Sequence, residues 1–123
     1  MAERVLIVDD DPDVSRSLCC ILRTRGCVVR EENDPRYALE TVRDFEPDVV
    51  ILDYLMPILH GGDVAWQLAE DPVWRGVRII ICSAAPAEEI LKQLPPSRIP
   101  ILGKPIDIEA LIALIRRSGA THA

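Results

Sequence analysis

The residues of this chain best suited to chemistry are few and far apart: the acidic run Asp9-Asp10-Asp11, a lone Asp53, the hydroxyl of Ser83 and the amine of Lys104. Each stands just past a short aliphatic run. Arg4-Val5-Leu6-Ile7-Val8 precedes the first acids and Val49-Val50-Ile51-Leu52 leads to Asp53. Val77-Arg78-Ile79-Ile80-Ile81-Cys82 ends at Ser83, and Ile99-Pro100-Ile101-Leu102 comes before Gly103-Lys104-Pro105. Aliphatic runs rich in β-branched residues read as strands buried on both faces. If the strands are parallel, their carboxyl ends share one sheet edge, which is where open α/β sheets bind ligands. Asp9, Asp10, Asp53, Ser83 and Lys104 then converge. Three carboxylates crowded there repel one another and suit a hard divalent cation; Mg2+ is the natural candidate, since it takes a few carboxylate or carbonyl oxygens and keeps water. A lysine and a hydroxyl facing the same point suit the remaining oxygens of a phosphoryl group. Taken singly, each residue has a blander reading, as a capping Asp, an ordinary serine or a solvated lysine. Their joint placement at strand ends is what points to a site.

The elements between the strands must be helices. Asp11 suits an N-cap and Pro12 the first helical turn, after which Val14, Leu18, Ile21 and Leu22 recur on one face, with Arg16 and Arg23 outward. Gly26 is expected to end this helix in a left-handed cap, and Cys27 to Glu31 to form a second strand. Asn33-Asp34-Pro35 signals a turn and helix start, with Tyr37, Ala38, Leu39, Val42 and Phe45 inward and Pro47 closing the helix. Gly61-Gly62 reads as a break, followed by a helix with Val64, Ala65 and Leu68 inward that runs to about Asp71-Pro72. Trp66 and Trp74 are expected to be partly exposed. A short helix from Pro86 to Leu94, with Ile90, Leu91 and Leu94 on one side, is cut off by Pro95-Pro96. A fifth strand, Ile99 to Leu102, suits a sheet edge because of Pro100. A last helix from about Asp107 to Arg117 turns Ile108, Leu111, Ile112 and Ile115 to the sheet and Ala110, Ala113 and Leu114 outward; Ser118 to Ala123 reads as a frayed tail. Connections this long exclude hairpins and predict a doubly wound, five-stranded parallel sheet with helices on both faces.

The 123 residues amount to one domain, 1–123, with 49% hydrophobic and 28% charged residues. A net charge of −6, with no basic cluster larger than Arg116-Arg117, argues against direct nucleic-acid binding. No apolar run is long enough for a bilayer and the N-terminus goes straight into a strand, so the expectation is a cytoplasmic protein without a membrane partner. Cys19, Cys20, Cys27 and Cys82 lack metal-site spacing and read as packed thiols, with Cys20 on the outer side of its helix.

With Asp9-Asp10, Asp53 followed by Met56-Pro57 and Gly61, Ser83-Ala84 and Lys104-Pro105 falling in this order, the whole chain resembles a response regulator receiver domain of two-component signalling. The resemblance implies the flavodoxin-like strand order 2-1-3-4-5 and a phosphoacceptor at Asp53. It further implies Mg2+ held by Asp9, Asp10, Asp53 and the backbone carbonyl of Leu55, a switch hydroxyl on Ser83 beside Ala84, a phosphoryl contact from Lys104 and a cis peptide before Pro105. A receiver takes its phosphoryl group from a histidine kinase or histidine phosphotransfer protein, catalysing its own phosphorylation and slow dephosphorylation without being a turnover enzyme. Leu55 and Ala85 offer no polar group to orient water, so slow hydrolysis is expected. Ile101 stands where the family usually has Tyr or Phe, and a stiff β-branched side chain cannot make the same rotamer change. The expected motion therefore lies in residues 84–96, with a homodimer or effector meeting the face formed by the fourth helix, fifth strand and fifth helix.

Other readings fit less well. An aspartyl-phosphate hydrolase of the haloacid dehalogenase type needs an acid where Leu55 stands, and a flavodoxin-like FMN site would be repelled by Asp9-Asp10-Asp11-Pro12-Asp13. A degenerate receiver used only for docking would not need all five site residues.

Overall fold

The computed structural model describes residues 2–56, 61–70, 76–95 and 99–117. Strands β1 (Arg4–Val8), β2 (Val28–Glu32), β3 (Val49–Asp53), β4 (Arg78–Ser83) and β5 (Ile101–Gly103) form one parallel sheet in the order β2-β1-β3-β4-β5. Helices α1 (Pro12–Thr24), α2 (Ala38–Phe45), α3 (Gly61–Glu70), α4 (Ala87–Leu91) and α5 (Ile108–Arg116) alternate with them, and a 3-10 turn (Pro35–Tyr37) leads into α2. The doubly wound architecture and strand order are as expected from the sequence.

Every residue of β3 is buried, because alternate side chains serve two cores. Val50 and Leu52 join Leu6, Val8 and Ile81 under α2, α3 and α4, where Ala38, Val42, Phe45, Val64, Ala65, Leu68 and Ile90 pack. Val49 and Ile51 join Val5, Ile7, Ile80 and Cys82 under α1 and α5, against Leu18, Leu22, Leu111, Ile112 and Ile115. The sheet thus fixes where its carboxyl edge lies, and the helices fix which loops surround that edge.

Several local expectations need correction. In α1 the buried stripe is Ser15, Leu18, Cys19 and Leu22, while Val14 and Ile21 are exposed. The helix phase is set by inward Ser15, whose hydroxyl is satisfied by Glu31 at 2.8 Å, so a polar residue occupies a position that hydrophobicity alone would give to its neighbour. Asp11 does cap α1, accepting from the Asp13 amide at 3.0 Å. The helix ends through Gly26 at φ +89°, a left-handed conformation that glycine adopts without strain. β2 begins one residue later than read, at Val28, and Tyr37 lies exposed outside α2, which Glu46 closes in the left-handed region before Pro47.

Gly61-Gly62 is not a break but the first turn of α3. Helix propensity yields there to packing: a Cβ on Gly62 would lie 3.4 Å from a Tyr54 ring carbon and 3.6 Å from the Gln93 carbonyl, so the small residue lets the helix settle against both. α4 is shorter than read, and Leu91 is exposed while Ile90 and Leu94 are buried. β5 begins after Pro100, which lacks an amide proton for the ladder but accepts from Ile81 at 2.9 Å. Leu114 is partly buried against the α1/α5 core rather than turned outward, and Ile108 is likewise only partly buried. Asp107 caps α5 through the amides of Glu109 and Ala110. All four cysteines are free and Cys20 alone of them is exposed. The readings at Pro57, Pro72, Trp74, Pro96 and residues 118–123 fall outside the described residues.

Candidate functional site

Strand register brings the candidate residues together. Val8 pairs with Leu52 and with Glu32, so Asp9, Asp53 and Asn33, each one residue further along, lie at the same level of the sheet edge. Asp53 pairs with Cys82, Ser83 with Gly103, and Lys104 follows directly. The Lys104 amide donates to the Ser83 carbonyl at 2.9 Å and the Lys104–Pro105 peptide is cis.

Carboxylate oxygens of Asp9, Asp10 and Asp53 all lie within 4.8 Å of one another. Asp9 and Asp53 are buried, 6% and 8% exposed, whereas Asp10 is open to solvent. Lys104 Nζ stands 3.0 Å from Asp53 Oδ1 and 3.9 Å from Asp9 Oδ2. Asp9 Oδ1 also accepts the Asp11 amide at 2.9 Å. Ser83 is 1% exposed and its hydroxyl accepts the Ala85 amide at 3.0 Å, with Ala84 exposed between them. Leu55 is 53% exposed on the loop leaving β3, and Ile101 is partly buried against the core under α4.

The electrostatics follow from crowding. Burial lifts the Asp9 carboxyl above its ordinary range; the Asp11 amide and Lys104 pull it back, and the charges of Asp53 and Asp10 push it up again. Asp53 is likewise raised by burial and by Asp10, against the opposing pull of Lys104 and the Leu55 amide. Lys104 is lowered by burial, but its hydrogen bond to Asp53 and the charges of Asp53 and Asp9 outweigh this and leave the ammonium more firmly protonated than usual. One lysine does not offset three acids. The donor set, three hard oxygen ligands with one exposed to water, fits a small divalent cation.

Two features were missed from the sequence. Asn33, read only as part of a turn signal, donates through Nδ2 to the Asp9 carbonyl and to the Ser15 hydroxyl, both at 2.8 Å. Tyr54, next to Asp53, is buried and its hydroxyl donates to Gln93 Oε1 in the turn after α4, while the Trp66 indole donates to the Gln93 carbonyl at 2.8 Å. No sequence spacing signals either contact, because each joins separate elements.

The family model described as response regulator receiver domain matches residues 5–116. Among curated proteins, the DNA-binding response regulator MtrA of Mycolicibacterium smegmatis is 32% identical over 117 residues, covering 94% of this chain and 50% of its own length. Protein Rrf1 of Nitratidesulfovibrio vulgaris is 28% identical across 100% of this chain and 87% of its own. The chain thus spans about half the length of the MtrA relatives it matches. Of solved structures, the receiver domain of the Francisella response regulator 1452 superposes with a TM-score of 0.81 at 24% identity, over 98% of this chain and 99% of that one. The chemotaxis response regulator CheY4 of Vibrio cholerae gives 0.84 at 23%, over 96% and 99%, and both share the fold.

Proposed function

The chain belongs to the response regulator receiver family and is a receiver domain of two-component signalling, and from that membership we propose that it accepts a phosphoryl group on Asp53 in a Mg2+-dependent reaction. The observation that supports this most is the hydrogen bond from Lys104 to Asp53 beside three mutually close carboxylates. An Asp53 carboxylate oxygen attacks the phosphorus of a phosphohistidine; the P–O bond forms as the P–N bond breaks, and the imidazole leaves with the electron pair and takes up a proton. The donor in this reading is a histidine kinase or histidine phosphotransfer protein. Lys104, already on Asp53, is positioned to take the charge of the phosphoryl oxygens. Asp9, Asp10, Asp53 and the Leu55 carbonyl would hold Mg2+, which supplies charge neutralisation at the phosphoryl oxygens when bound. Burial of Asp53 among apolar neighbours keeps competing water away from the nucleophile on the sheet side.

Readout in this reading begins at Ser83, whose hydroxyl leaves the Ala85 amide for the phosphoryl group, and passes through residues 84–86 to α4. Ile101 replaces an aromatic ring on β5, so the Tyr54–Gln93–Trp66 contacts are the more direct tie between the Asp53 loop and α4. A homodimer or effector would meet the face of α4, β5 and α5, where Leu91 is 58% exposed. Incubation with acetyl phosphate and Mg2+, followed by intact mass spectrometry, should add one phosphoryl group; chelator should prevent it and Asp53→Asn abolish it. Retention of the label in that variant would sink the assignment.

A further inference from the structure

The cluster of acids is held in place from outside the strands that carry it. The Asp9 amide donates to the Glu32 carbonyl at 3.2 Å and the Asp9 carboxylate accepts the Asp11 amide, but the Asp9 carbonyl points elsewhere, to Asn33 Nδ2. That carbonyl belongs to the peptide joining Asp9 to Asp10. Gripping it fixes the peptide plane and so the direction in which Asp10 leaves the strand. The grip matters because Asp10 is exposed and, among the described residues, no hydrogen-bond donor holds its carboxylate. Asn33 is itself braced: the same amide nitrogen donates to Ser15 Oγ at 2.8 Å, and the wholly buried Ser15 hydroxyl donates to Glu31 Oε1 at 2.8 Å. Three elements, the loop after β2, the first turn of α1 and β2 itself, thus close on one peptide.

We propose that Asn33, braced by Ser15, is a positioning residue for the acidic cluster, setting its affinity for Mg2+ by orienting the Asp9–Asp10 peptide. The inference rests on the reading of the cluster as a divalent-cation site. Residues that orient metal ligands without touching the metal typically change affinity by about 10–100-fold when lost. Asn33 is exposed at the surface of the loop, so its replacement removes two hydrogen bonds without opening the core.

The test is a MgCl2 titration of the whole chain, followed by calorimetry and by amide NMR with the Asp10 resonance as the local reporter. Asn33→Ala should weaken Mg2+ binding about tenfold and shift the Asp10 amide before any metal is added. Asn33→Leu, which keeps a similar volume, cannot donate and adds no charge to the cluster, should do at least as much, and it decides the matter if the alanine variant folds poorly. Thr41→Val is the control. It breaks the Thr41–Glu32 hydrogen bond in the same region without touching Asp9 or Asp10, and should lower the melting temperature while leaving Mg2+ affinity unchanged. Equal binding by wild type and the Asn33 variants overturns the inference alone, as does an equal loss in Thr41→Val, which would mean general loosening. A wild-type chain that fails to bind Mg2+ overturns the reading of the site and this inference with it.

Discussion

Leu55 stands two residues past Asp53, 53% exposed, with a side chain that neither gives nor takes a proton. If Asp53 is phosphorylated as proposed, this side chain gives an attacking water no orientation, so the phosphoryl group should be lost slowly. Placing a carboxylate at this position, Leu55→Glu, should speed hydrolysis at least about tenfold, read by the loss of the phosphoryl mass after the donor is removed. An unchanged decay would show that side chains at this position do not govern the lifetime. On the neighbouring strand, Cys82 is Asp53's partner in register, and its buried thiol is pushed up to about 12 by burial, with Asp53 and Asp9 adding to the shift against Lys104. It stays a neutral thiol, and in the proposed reaction it does not compete with the carboxylate.

Among the elements, β3 and α1 show how differently an isoleucine can count. Ile51 is 2% exposed in the centre of the sheet, packed in the core under α1 and α5, while Ile21 on α1 is 38% exposed. Ile51→Ala should therefore cost about 2–5 kcal/mol in urea denaturation. Ile21→Ala should stay within about 0.5 kcal/mol. Equal losses would put Ile21 in the core and refute the helix phase set by Ser15. The same contrast governs α4. Ile90 and Leu94 anchor it, yet it has five residues and, among the described residues, its following turn is held through Gln93 by Tyr54 and Trp66, which ties a short element to the Asp53 loop.

Across the molecule, the first and last helices, which share one core, are also joined by charge. Arg25 at the end of α1 pairs with Glu109 in the first turn of α5, and the Arg25 guanidinium holds the Glu109 carboxyl below its ordinary value of 4.5. A carboxylate with a lowered folded pKa gives stability that is present above the unfolded value and is lost as pH falls through the folded one. Glu109→Gln should therefore lower the melting temperature slightly at neutral pH, and the difference should shrink in high salt and vanish in acid below the carboxylate range. Thermal melts across that range check it. A difference that persists at the most acid pH would assign the effect to packing rather than to charge.

Legible in the order of residues alone were the succession of elements, the parallel sheet and the positions of Asp9, Asp10, Asp53, Ser83 and Lys104 at strand ends. Aliphatic runs that stop at polar residues encode those facts locally, and parallel pairing turns distance along the chain into proximity. The absence of an aromatic at Ile101 was equally legible. Helix phase was not, because inward Ser15 is stabilised by Glu31 and Asn33, residues from other elements that no period within α1 can reveal. Nor was the place of Gly61-Gly62 inside α3, which depends on Tyr54 and Gln93 lying against that turn. The grip of Asn33 on the Asp9 carbonyl belongs with these. It spans β1, β2 and α1, and only the folded arrangement brings a turn residue's amide to the one peptide that aims two acids at the same point.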